Sequence, residues 1–236
     1  MRTIGTILLW ICLLQSGLVA AAGDVSTFNA TYKLFSSGFE LAEMKRTMSR
    51  LPDGNYIYRS HTETVGLVAV FYKDKIVEES RWKLEENQLY PLKYTYNRTR
   101  SKKQRKVRID FDWDKKVIYN RVNENLWKMP LEKGMLDKLL YQYAIMRDLP
   151  EKPFPIDYSI ADGGKMKTYH FERLANEKLQ TPLGELETIK LQNIKPNDDR
   201  KLIIWCAPKF NYLPVKVEHT EDGRLTTAII QKLEGL

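Results

Sequence analysis

His61 to Arg98 reads HTETVGLVAVFYKDKIVEESRWKLEENQLYPLKYTYNR, and the rest of the chain is organised around this stretch. A polar strand end, His61 to Thr64, runs into a short apolar turn, Val65 to Tyr72. Two strand-like runs follow, Ile76 to Leu84 and Tyr90 to Tyr96. Pro91 stands at the start of the second, where a missing N–H does least damage to a ladder.

The clearest strand comes next. Val107, Ile109, Phe111 and Trp113 alternate with Lys106, Arg108, Asp110, Asp112 and Asp114, the pattern of an antiparallel strand with one solvated face. Upstream, Phe28, Ala30, Tyr32 and Leu34 alternate with polar residues, Phe39 to Arg50 reads as a second strand, and Pro52-Asp53-Gly54-Asn55 turns into a third. Downstream, strand-like runs resume at Pro155 and recur to Leu233, separated by turns such as Asp162-Gly163-Gly164 and Glu221-Asp222-Gly223. One segment departs from the two-residue period. Leu136, Leu139, Leu140, Tyr143 and Met146 recur at three and four, which predicts an amphipathic helix over about 134–149, closed by Pro150. Asp137 falls in its first turn and Arg147 in its last, each suiting the helix dipole.

About a dozen strands at this turn spacing predict a mainly β fold. Twist prevents so long a sheet from lying flat. The expectation is a strongly curved antiparallel sheet, an incompletely closed barrel or β-roll, with the helix as plug or cover. The stretches SHTETVGLVAVFYKDKIVEESRW, PLKYTYNR, VRIDFDW, LEKGMLDKLLYQYAIMRDL, ADGGKMKTYHFE, TPLGELETIKL and WCAPKFNYLPVKVE occur in this order along the chain. Together they resemble the bacterial exported family called domain of unknown function 3108. The resemblance implies this fold and an exported location, and it implies no reaction.

Residues 1–22 read as a signal peptide: Arg2, an apolar run from Ile4 to Leu14, and small residues ending at Ala22. The apolar run is too short to span a bilayer, which needs roughly 20 residues. That leaves 23–236 as a single β domain with no transmembrane segment, placed in the periplasm. Cys12 leaves with the signal, so Cys206 has no internal disulfide partner, and its apolar setting predicts a buried, inert thiol. The formal charge of +8 falls to +7 without Arg2, a moderate basic excess that favours anionic surfaces or ligands.

Little in the chain points to catalysis. None of His61, His170 and His219 stands at metal-binding spacing, and no nucleophile elbow, zinc-protease or P-loop motif occurs. Gly163-Gly164-Lys165 lacks the upstream glycine of a phosphate cradle and reads as a hairpin. Neither a catalytic residue, a metal nor a cofactor is assigned. Asp110, Asp112 and Asp114 share a strand face, but Lys106 and Arg108 share it too, so a solvated face of mixed charge explains them better. The basic run Arg98, Arg100, Lys102, Lys103, Arg105, Lys106 and Arg108 is stronger. Arg98, Arg100, Lys102, Lys103 and Arg105 are candidate contacts for an anion or partner, against the plainer reading of an edge kept soluble by charge. No aromatic stacking platform is interleaved there, which argues against nucleic acid. Tyr58, Trp82, Tyr94, Trp113 and Trp205 are candidate walls of an apolar cavity if the sheet stays open, and simple core if it closes.

These features predict a non-enzymatic envelope protein whose curved sheet binds a lipid-like molecule or an envelope partner. One alternative is an envelope hydrolase around Asp110, Asp112 and His170. Another is a scaffold docking on anionic surfaces through the basic hairpin 98–108.

Overall fold

The computed structural model describes residues 25–100, 104–194 and 200–236. The expected signal segment 1–22, Lys102 and Lys103 lie outside them. The strands are β1 (Phe28–Ser36), β2 (Phe39–Arg50), β3 (Tyr56–Thr64), β4 (Asp74–Glu85), β5 (Gln88–Arg100), β6 (Gln104–Asp112), β7 (Val117–Val122) and β8 (Asn125–Pro130). They continue as β9 (Leu136–Asp137), β10 (Ile156–Asp162), β11 (Lys165–Arg173), β12 (Glu177–Thr181), β13 (Gly184–Ile194), β14 (Lys201–Ala207), β15 (Leu213–Glu221) and β16 (Arg224–Glu234). Helix α1 (Gly66–Phe71) joins β3 to β4, and α2 (Leu140–Asp148) joins β9 to β10.

Among the described residues all sixteen strands belong to one sheet, ordered β8-β7-β6-β5-β4-β3-β2-β1-β16-β15-β14-β13-β11-β10-β9, with β12 paired to β13 beside this path. The sheet rolls up without a closing ladder. At one end β9 lies against β5, and Asp137 on β9 accepts a hydrogen bond from Ser80 on β4 at 2.5 Å. The β10–β11 turn tucks in nearby. A Cβ on Gly164 would stand 3.4 Å from Asn120 on β7 and 3.6 Å from Trp127 on β8. Glycine at φ +93° permits both the turn and this approach. The predicted open roll is the observed fold.

The structure refines three expectations. Pro91 lies inside β5, at an irregularity where Trp82 pairs with Pro91 and Arg81 with Lys93. A bulge tolerates the missing N–H there. The apolar turn Val65 to Tyr72 contains α1. The longer helix begins later than its pattern implies, because Leu136-Asp137 is drawn into a parallel pair with β10. Asp137 then caps α2: its Oδ1 accepts the N–H groups of Leu139 and Leu140 at 2.9 and 2.8 Å. Leu140, Tyr141, Tyr143, Ala144, Ile145 and Met146 are all buried. A helix apolar on nearly every side belongs inside a core, so α2 is the plug of the roll.

Around the plug the packing is aromatic. Trp82 stacks on Tyr56 with centroids 4.8 Å apart and meets Tyr143 of α2 at 5.2 Å. Tyr141 contacts Tyr169 and Phe171 on β11 at 5.1 and 6.1 Å. Cys206 is buried, and burial pushes its thiol pKa well up, so it packs as a small apolar group.

Candidate functional site

Antiparallel order sends the β1–β2, β3–β4, β10–β11 and β15–β16 connections to one end of the roll, opposite the α2 C-terminus. The inward side chains change along each strand toward that end. On β4 they run Trp82, Ser80, Glu78, Ile76, Asp74; on β3 they run Tyr58, Ser60, Thr62, Thr64. The lumen is therefore packed at its floor and polar at its mouth.

A cavity of about 470 Å³ opens at the mouth. Leu34, Leu41, Ala42, Val68 and Ile76 give it an apolar wall. Asp74, Arg98 and Arg100 form a charged corner. Asp74 Oδ2 accepts from Arg98 Nη2 at 2.5 Å and from Arg100 Nε at 3.0 Å. Burial alone would raise the Asp74 pKa, but the hydrogen bonds from Arg98 and Arg100 outweigh it and hold the carboxyl below its ordinary range. One carboxylate between two guanidinium groups leaves the corner net positive. Tyr72 ties α1 to it: the Arg100 guanidinium lies 5.4 Å from the Tyr72 ring centre, and Thr64 Oγ1 donates to the Tyr72 carbonyl at 2.8 Å.

A second cavity of about 350 Å³ shares His219 and Glu221 with the first and is lined further by Lys138, Tyr141, Asp162, Lys167, Tyr169 and Asn193. Asp162 pairs with Lys167 at 2.5 Å. Burial would raise its pKa, but the charges of Lys138 and Lys167 bring it below the ordinary value. Among the described residues, the buried Asn193 Nδ2 has no hydrogen-bond partner. The two cavities adjoin at His219 and Glu221.

The structure separates the sequence candidates. Arg98 and Arg100 reach the mouth together, already engaged by Asp74. Arg105 faces Arg98 across the β5–β6 ladder, and its Nη2 would stand 3.1 Å from a Cβ on Gly163. Tyr58, Trp82, Tyr94 and Trp205 are buried in the core and line neither cavity. Trp113 is half-buried and donates from Nε1 to the Pro91 carbonyl at 2.7 Å. The acidic face is charge-mixed: Asp110 pairs with Arg108 at 2.7 Å and Asp112 with Lys115 at 2.8 Å. His170 Nδ1 lies 2.6 Å from Asp157, on a different strand from those acids. Among the described residues no group of three histidine, cysteine or acidic side chains is placed to hold a metal ion.

Two residues escaped the sequence reading. Asp74 precedes the point where β4 was expected to begin, and only its register opposite Arg100 reveals its role. Arg46 holds an inward position between Met44 and Met48, where the alternation calls for an apolar residue. It is buried, with its guanidinium 5.5 Å from the Tyr32 ring centre. The intrusion of a charge into an apolar parity was the available signal.

A family model described as "Protein of unknown function (DUF3108)" matches residues 27–229. No curated protein matches the chain. Among solved structures, a beta-barrel-like protein of domain of unknown function DUF1849 from Brucella abortus is similar in fold, with a TM-score of 0.57 at 6% identity, covering 89% of this chain and 98% of that one. A putative lipoprotein from Parabacteroides distasonis aligns over 89% of this chain and 96% of its own at 11% identity, with a TM-score of 0.35.

Proposed function

The chain belongs to the DUF3108 family, and from that premise we propose that it is an exported envelope protein that binds an amphiphilic, lipid-like molecule without transforming it. The observation that carries this reading is the larger mouth cavity, where an apolar wall adjoins the Asp74–Arg98–Arg100 corner. An apolar chain would lie along Leu34, Leu41, Val68 and Ile76, and an anionic head would meet the two arginines. Ligand sites commonly combine such an apolar lining with a few fixed polar groups. Export through residues 1–22 and residence in the periplasm belong to the same proposal.

Native mass spectrometry of protein purified from its own envelope tests it, together with binding of a fluorescent fatty acid. Retained anionic lipid, and probe binding weakened about tenfold or more by Arg98→Ser/Arg100→Ser, are the expected results. Lipid-free protein that also ignores the probe would remove the reading.

A further inference from the structure

The mouth carries a feature that ligand binding does not require. Helix α1 is Gly-Leu-Val-Ala-Val-Phe, six residues without a polar side chain and with none buried. Leu67, Val70 and Phe71 are 83%, 70% and 84% exposed. Phe39, at the β1–β2 tip, and Leu225, at the β15–β16 tip, are also exposed. They belong to the same rim: Val65 donates its N–H to the Leu41 carbonyl at 3.1 Å, and Ser36 Oγ donates to the Leu225 carbonyl at 2.8 Å. Isolated exposed apolar residues are ordinary, but a contiguous group around a cavity entrance marks a contact surface.

Two properties say what covers it. The first is charge. Lys73, Lys75, Arg98 and Arg100 follow α1 or stand beside it, against Asp74 and Glu63. The lip across the mouth is mixed, with Glu221, Asp222 and Arg224. The second is preorganisation. The Tyr72 N–H bonds to the Val68 carbonyl at 2.7 Å, and the Thr64 hydroxyl holds the Tyr72 carbonyl. Leu67, Val70 and Phe71 thus stand outward on a fixed turn, while Val68 lines the cavity. Large apolar side chains projecting from a basic margin match the boundary between anionic headgroups and acyl chains.

We propose that the mouth rim docks on an anionic bilayer surface, with Leu67, Val70 and Phe71 entering the headgroup layer and Lys73 and Lys75 facing lipid phosphates. The cavity entrance would then open toward the membrane. This docking stands apart from the cavity's occupancy, so the two are tested separately.

Co-sedimentation with phosphatidylcholine vesicles, with and without about one-third phosphatidylglycerol, provides the test. The wild-type chain is expected to bind the anionic vesicles preferentially and to lose affinity as salt rises. Leu67→Ser/Phe71→Ser should weaken vesicle binding at least tenfold, since each deletion removes a large apolar side chain from the contact. Lys73→Ser/Lys75→Ser should weaken it about fivefold per charge and flatten the salt dependence. All four positions lie off the cavity wall, so fatty-acid binding without vesicles should be unchanged and reports an intact fold. Equal sedimentation with neutral and anionic vesicles, or wild-type vesicle binding by the Leu67/Phe71 variant, would overturn the proposal. So would a self-associating chain that ignores vesicles and becomes monomeric on the same substitutions, because a second copy would then be the occupant. Loss of probe binding alone, with vesicle binding intact, would count against the ligand reading and leave docking standing.

Discussion

The floor and the mouth of this roll are built from the same strands and differ in what each strand points inward. At the floor, Trp82 stacks on Tyr56 and meets Tyr143 of α2, and Tyr58 is fully buried. At the mouth, continuations of those strands present Thr62, Thr64, Ile76, Asp74 and Arg98 around open volume. One sheet thus separates a packed half from an open half, with the polar residues Arg46, Ser60, Ser80 and Asp137 buried at the waist between them. The proposed function therefore predicts that stability and binding respond to different substitutions, those in the packed half and those in the open half.

The largest effect belongs to the floor. Trp82→Ala removes the ring between Tyr56 and Tyr143 and should cost about 4 kcal/mol in urea unfolding. The waist comes next. Asp137→Ala removes the cap of α2 and leaves the Ser80 hydroxyl without its acceptor, and about 2–3 kcal/mol should be lost. Asp137 also titrates unusually. Burial pushes its pKa from the ordinary 3.8 up to about 6, against the hydrogen bonds from Ser80, Leu140 and Leu139. A carboxyl that holds its proton more tightly in the fold than in the open chain contributes stability that is full below 3.8. That contribution is lost as pH rises through about 6. Asp137→Asn keeps an oxygen for the cap and an amide facing Ser80. Its unfolding free energy between these pH values should therefore fall less with rising pH than that of the wild type, while a parallel decline in both would assign the titration elsewhere.

The floor was far more legible in sequence than the mouth, for a physical reason. Core strands advertise themselves by alternation, and Val107, Ile109 and Phe111 are buried while Arg108 faces out. The family resemblance was equally readable, since it rests on motifs spread along the chain. A periodic apolar pattern does not, however, distinguish a helix laid on a sheet from one enclosed by it. Nor does it reveal that Leu136-Asp137 would pair with β10. Strand β12, Glu177–Thr181, was invisible because its polar sequence carries little apolar alternation. The basic run stood out, but its engagement did not. Arg98 and Arg100 meet Asp74 across the β4–β5 ladder, 24 and 26 residues away in sequence, and register decides that meeting.

The smaller effects fall at the mouth. Arg98→Ser should change unfolding free energy by no more than about 1 kcal/mol, because a partly exposed ion pair contributes little. Its fatty-acid affinity should nevertheless fall. Asp74→Asn sharpens the comparison further. The Asp74 carboxylate competes with any anionic head for the two guanidinium groups. Replacing it with a neutral amide of similar shape removes that competitor, so the variant should bind an anionic fatty-acid probe more tightly than wild type, by a few fold, and its neutral alcohol analogue with little change. The stability cost should be modest, since Arg98 and Arg100 remain open to water at the rim. Weaker binding of both probes would mean that Asp74 chiefly fixes the arginines in place. The positive corner would then be a brace for the β4–β5 rim, as the aromatic floor is for α2, and the contrast between the two halves would narrow to one of solvent exposure.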